Sequence, residues 1–244
     1  MQDHIFEIGG AAIDKSEQEY KKLMDNIVYS QIPGYRESSV TSRSFPIELE
    51  AAKQRLSPMK PQVDGSYFNQ TAGALIKTDG PLDVALGSDG YFVIEGNWGE
   101  GYTRDGRFHL DKDGRLLSVA GNFPVMGQGG AITVNPEGMI DISQDGDIRV
   151  DGEIVDRLRV VKPENNLSLD PLSGSIFKKG DPNDAFIDVE DPRVIVGYVE
   201  GSNADISLMM MKMISLQKIS DINTGFIKDR SNNLSKAMEL GKSQ

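Results

Sequence analysis

The sequence contains no cysteine, and that single absence excludes disulfides, thiolate metal sites and cysteine nucleophiles together. It suits either a reducing cytosol or a chain that crosses an oxidising compartment without cross-linking on the way. Histidine is nearly missing as well. Only His4 and His109 occur in 244 residues, too few for a histidine-based catalytic site. The G-x-S-x-G elbow, H-E-x-x-H, G-x-x-x-x-G-K-[ST] and G-x-G-x-x-G are all absent. Basic charge is in deficit, with 26 Lys and Arg against 37 Asp and Glu, a net charge of −11. That balance argues against a nucleic-acid or anionic-lipid partner. No apolar run approaches the roughly 20 residues that a membrane-spanning helix requires. The N-terminal MQDHIFEIGG lacks the basic start and apolar stretch of a cleavable secretory signal. The chain is therefore read as non-enzymatic, without cofactor or metal, nucleic-acid contact or membrane insertion.

What is present divides into four zones. Residues 1–36 place Ile5, Ile8, Ala12, Tyr20, Leu23 and Ile27 near helical spacing, with charges mostly on other faces. The helix is expected to run to about residue 31, weakened by Gly9 and Gly10 and stopped by Pro33-Gly34. Residues 37–65 are polar and punctuated by Pro46, Pro58 and Pro61, and read as an extended connector. Within it IELEAAKQRL (47–56) could form a short helix.

Residues 66–200 read as short strands separated by turns. Asp-Gly pairs begin at 79, 89, 105, 113, 145 and 151, and Asp-Gly between alternating apolar residues is a strong hairpin signal. Ile148 and Val150 alternate with Asp147 and Arg149, and Leu158 and Val160 with Arg157 and Arg159. This predicts an antiparallel β domain with one wet and one buried face.

Residues 201–244 open on Ser202-Asn203, good N-cap chemistry, with Asp205 near the helix's positive end. Ile206, Met209, Met213, Leu216, Ile219, Ile222 and Phe226 follow at intervals of three or four. Leu208, Met210, Met211 and Ile214 make the first turns apolar nearly all round, so this helix seeks neighbours on more than one side. The expected fold class is α+β, an antiparallel β-rich domain flanked by terminal helices.

Three stretches offer chemistry. Asp111, Asp113 and Gly114 resemble the start of a calcium loop, but the position that needs a bidentate glutamate falls on Ala120. GQGG (127–130) is superficially suited to phosphate, yet nothing marks it as opening a helix. Trp98 lies close in sequence to Tyr91, Phe92 and Tyr102, the raw material of a carbohydrate-stacking platform. Tyr91 and Phe92 are adjacent on a strand and must point to opposite faces, so they cannot share one platform. A free-standing β domain that binds carbohydrate or metal is the competing function class.

Four separated stretches together resemble the flagellar rod and hook family of axial proteins. DNIVYSQIPGYR (25–36) is similar to that family's N-N-[LI]-A-N-x-x-T-x-G-[FY]-[KR] signature, matching it at Asn26, Ile27, Gly34, Tyr35 and Arg36. GALIKTDGPLDVALGSDGYFVIE (73–95) and YTRDGRFHLDKDGRLLSVAGNFPVMG (102–127) resemble two conserved blocks of the family's β domain. VEGSNADISLMMMKMISLQKISDIN (199–223) resembles its C-terminal helix signature, with Met209 and Lys218 in place of a glutamate and an arginine. The stretch 129–161 is most similar to proximal rod members.

The resemblance implies terminal helices that pair as a coiled coil and pack into a tubular core, with the β domain outside it. It implies a structural subunit of the basal-body rod, spanning the periplasm, that transmits torque from motor ring to hook. The implied partners are copies of the chain, other rod subunits and the type III flagellar export apparatus, through which it passes without a cleaved signal peptide. The expected assembly interface comprises Ile5, Ile8, Tyr20, Leu23, Asn26, Ile27, Gly34 and Tyr35 at one end. At the other it comprises Ser202, Asn203, Ile206, Met209, Met213, Leu216, Gln217 and Phe226. Asn26, Asn203 and Gln217 would fix register between helices, or serve only as caps and solvated positions.

Overall fold

A computed structural model describes residues 2–42, 63–164, 169–181 and 183–242. Side chains are described for residues 16–40, 68–164, 169–181, 183–225 and 228–229. The short helix expected at 47–56 lies outside the described residues. The chain forms two compact units: Met1–Val28 with Ser38–Phe68 and Asp205–Gln244, and Tyr29–Glu37 with Asn69–Ala204. They are called the helical and β units below.

The helical unit contains α1 (Gln2–Tyr29), except its last residue, which falls in the β unit, and α2 (Ile206–Lys242). Helix α1 runs through Gly9 and Gly10 and stops before Pro33, close to the boundary expected from the sequence. Helix α2 is capped by Asp205, whose carboxylate accepts the Leu208 N–H at 3.1 Å and places negative charge at the positive helix end. The cap is therefore not Ser202 or Asn203. The Ser202 hydroxyl accepts the Ala204 N–H instead, and the Asn203 amide is engaged elsewhere.

The segment read as a connector contributes two strands, Ser38–Ser42 and Val63–Phe68, paired antiparallel from Ser38↔Phe68 to Ser42↔Val63. Buried Asn26 joins α1 to this ribbon. Its Nδ2 donates to the Ser38 carbonyl at 2.7 Å and its Oδ1 accepts the Ser38 N–H at 2.9 Å.

The β unit is built on a six-stranded sheet whose neighbouring strands are all antiparallel. In spatial order these are Leu169–Ser173, Ile176–Lys179, Gly99–Thr103, Tyr91–Gly96, Val160–Pro163 and Phe186–Asp188. A three-stranded sheet of Ile140–Ile142, Asp147–Val150 and Glu153–Arg157 turns at Asp151-Gly152. Both residues of that turn have positive φ, 54° and 90°, the conformation that Asp-Gly tolerates in a tight hairpin.

The apolar core gathers Val84, Phe92, Ile94, Phe108, Val125, Ile132, Ile148 and Leu158 with their neighbours. Leu158 and Val160 point inward as their alternation predicts. The central strand departs from the wet-face expectation, because Tyr91, Phe92, Val93 and Ile94 are all buried. Both faces of the sheet are covered there, with Tyr91 edge-on to Phe177. The fold class is thus α+β, as the sequence pattern indicates.

Candidate assembly surface and a buried clasp

The helices leave much of their apolar surface in solvent. On α1, Tyr20, Met24 and Val28 are exposed, Val28 at 63%. On α2, Leu208, Met210, Met211, Ile214, Ile219 and Ile222 are exposed, Met211 at 60% and Ile222 at 69%. Leu23 and Met209 are buried, while Ile27, Ile206, Met213 and Leu216 are half-buried. A cleft of about 270 Å³ has Glu17 and Tyr20 of α1 and Leu216 and Gln217 of α2 among its lining residues, so three expected interface residues meet. The side chains of Ile5, Ile8 and Phe226 lie outside the described residues. No helix of the described residues is long and apolar enough to cross a membrane.

Charge divides the two helices. Across its span α1 carries six acidic and three basic residues, a net of −3; α2 carries three acidic and six basic, a net of +3.

Gly34, Tyr35, Ser202 and Asn203, also expected at an assembly interface, are engaged within the β unit. They surround a buried ion triad. One Glu200 carboxylate oxygen meets Arg36 Nη2 at 2.7 Å and accepts the Gly73 N–H at 2.9 Å. The other meets Arg104 Nη1 at 3.1 Å. The Glu200 carbonyl accepts the Gly34 N–H at 2.7 Å, and Arg36 Nη1 donates to the Thr71 carbonyl.

Asn203 repeats the pattern one turn of chain later. Its Oδ1 accepts the Glu37 N–H at 2.7 Å, and its Nδ2 donates to the carbonyls of Asn69 and Thr71, both at 2.8 Å.

Close backbone approach makes this possible. Gly34 has φ +70°, and a Cβ there would lie 2.4 Å from the backbone of Arg104 and Asp105, so only glycine fits. Arg104 sits 5.5 Å from the centre of the Tyr91 ring. Burial lowers the Arg104 pKa against the opposing pull of Glu200. Burial likewise pushes the Tyr91 phenol up, partly offset by Arg36 and Arg104. Two guanidiniums on one carboxylate recover part of the desolvation cost of three buried charges.

Sequence reasoning did not single out this triad. Its members lie within the stretches GYR, YTRDG and VEGSN, and a charged residue beside a glycine that must pack closely was the available signal.

The chemical candidates resolve into local structure. Asp111 accepts the N–H groups of Asp113 and Arg115 and the Arg115 Nε, at 2.7 to 2.9 Å, so its carboxylate closes its own turn. The GQGG loop is occupied by its own chain, with Gly129 N–H donating to Asp156 Oδ1 at 3.3 Å. Tyr91, Phe92 and Tyr102 are buried in the sheet. Trp98 stands edge-on to Phe123 with ring centres 4.7 Å apart, which leaves no shared aromatic platform.

Comparison with known proteins agrees with this architecture. Residues 85–150 match the family described as the flagellar hook protein FlgE/F/G D1 domain. The chain is 31% identical to the flagellar basal-body rod protein FlgF of Caulobacter vibrioides over 80% of each chain. It is 30% identical to FlgF of Salmonella typhimurium and 29% identical to FlgF of Escherichia coli, each over 98% of both chains.

Proposed function

We propose that this chain, which belongs to the flagellar basal-body rod protein family and is FlgF-like, is a structural subunit of the rod that assembles through its terminal helices. The observation that carries the reading is the apolar surface left exposed on both helices. Each half-exposed Leu, Ile or Met there gains on the order of 1 kcal/mol when a neighbour covers it. Several such contacts along two helices outweigh the cost of ordering them. Helices α1 and α2 pair as a coiled coil, a reading supported by the cleft they line together and by their opposite net charges. The helical spacing of Ile5, Ile8 and Phe226 in the sequence adds them to the proposed interface, and Gln217 supplies a polar register position beside Leu216.

The partners in this reading are further copies of the chain and the neighbouring rod subunits. The rod places it across the periplasm, passing torque from motor ring to hook. It arrives through the type III flagellar export apparatus without a cleaved signal peptide. The absence of cysteine suits that route.

Electron microscopy of basal bodies from cells with and without the chain tests the proposal. Loss of the chain is expected to interrupt the rod. A complete rod and hook in its absence overturns the structural role.

A further inference from the structure

The chain passes between the helical and β units at four points, 28/29, 37/38, 68/69 and 204/205. Each lies within a few residues of the clasp. Glu200 reaches Gly34, Arg36, Gly73 and Arg104, and Asn203 reaches Glu37, Asn69 and Thr71. Tyr29 and Tyr35 add a ring contact between centres 5.5 Å apart. The main apolar core of the β unit includes no residue from 29–37, 69–73 or 198–204.

We infer that Glu200, seconded by Asn203, is the coupling residue of the β unit: it anchors the segments that continue into the helical unit, while the β core holds itself together without it. The crossing segments are short and outside the main core cluster; apart from the strand Tyr198–Glu200, paired with Leu75–Lys77, they are irregular, and beside the buried Tyr35 and Val199 polar bonds fix them. The Glu200 and Asn203 side chains make six of those bonds, to Arg36, Gly73, Arg104, Glu37, Asn69 and Thr71, while the Glu200 backbone carbonyl holds Gly34.

A buried carboxylate between two guanidiniums is intolerant of change, because neutralising it leaves two buried cations facing each other. Gly34 and Gly73 tighten the arrangement. A Cβ on Gly73 would lie 1.9 Å from the Gly201 carbonyl oxygen, so the segments interlock and the clasp has no slack to replace a lost bond. Within the rod reading, on which this functional consequence depends, force passing along the chain from one unit to the other crosses at these four points. The clasp then fixes the β-unit ends of those crossings.

Hydrogen exchange on the purified full-length chain tests the coupling without any assembled rod, so its outcome is independent of the basal-body experiment. In Glu200→Gln, amide exchange at residues 34–37 and 69–73 is expected to rise about tenfold or more. Exchange in the strands Tyr91–Gly96 and Val160–Pro163 is expected to stay unchanged.

Asn203→Ala, which strands no charge, should raise exchange at the same segments by a smaller factor. It decides the matter if Glu200→Gln does not fold. No rise at the crossing segments, or an equal rise in the core strands, overturns the inference.

Discussion

The two units divide the molecule's charge unequally. The helical unit holds 13 acidic and 13 basic residues, whereas the β unit holds 24 acidic and 13 basic and carries the whole net charge of −11. They differ in burial too. The β unit hides a contiguous core, while the helices leave Val28, Met211 and Ile222 in water. Self-repulsion keeps an acidic surface soluble and apart from its like. A neutral surface with exposed apolar residues has the opposite tendency, since hydrophobic attraction meets no net charge to oppose it. The pairing of traits suggests one unit that completes itself and another that needs company. The −3 and +3 helices place a further attraction inside the unit that needs it.

If the β unit is self-sufficient, damage to its core should be severe and confined. Phe92→Ala, at the centre of the cluster and edge-on to Phe108 at 5.2 Å, is expected to cost about 3–5 kcal/mol. Urea unfolding followed through Trp98 fluorescence measures it. A matching loss of helical circular dichroism at the same midpoint would dissolve the contrast between the units.

Gly34→Ala comes next. The left-handed φ and the contact with Arg104 and Asp105 together predict a loss of about 2 kcal/mol. Exchange at residues 34–37 should rise first.

The helix faces predict the reverse signature. Ile219→Ser combined with Ile222→Ser should change the stability of the isolated chain by no more than about 0.5 kcal/mol. The same pair should abolish incorporation into basal bodies, scored by immunoblot of purified hook–basal bodies. A large loss of stability in the isolated chain would mean those faces already have partners within it.

Much of this was legible beforehand because it is local. Apolar spacing and Pro33-Gly34 bounded α1, and Asp151-Gly152 announced its hairpin through backbone preferences that need no tertiary context. The clasp was not legible. Arg36, Arg104 and Glu200 are scattered along the chain, and an isolated charged residue reads as solvated surface until the fold buries it. The cap of α2 failed for a related reason. Ser202, Asn203 and Asp205 are all competent caps, and the sequence does not reveal that Asn203 is drawn away to Glu37, Asn69 and Thr71. The first turns of α2 are apolar nearly all round, so periodicity alone could not separate buried Met209 from exposed Met210 and Met211. Nor could it show that Asn26 binds the backbone of its own chain at Ser38.

The smallest expected effect concerns the outer face of the acidic unit, where Arg159 bridges Glu100 at 2.7 Å and Asp188 at 2.9 Å. Burial alone would raise the Glu100 pKa, but the hydrogen bond and charge of Arg159 outweigh it and hold the carboxyl below its usual value. A carboxyl whose folded pKa is depressed contributes stability that is complete above its unfolded pKa, about 4.3 for Glu. That contribution disappears as pH falls through the lower folded value. Glu100 is largely solvent-facing, so the pair is worth only about 0.5 kcal/mol. Arg159→Gln should therefore lower stability slightly at pH 7, and the difference from the parent chain should shrink toward zero as pH falls below the usual carboxylate range. High salt should shrink it too, since exposed pairs are screened. A difference that persists at low pH would assign the role of Arg159 to packing of its aliphatic stem, and the acidic face would then owe less to ion pairing than its charge pattern implies.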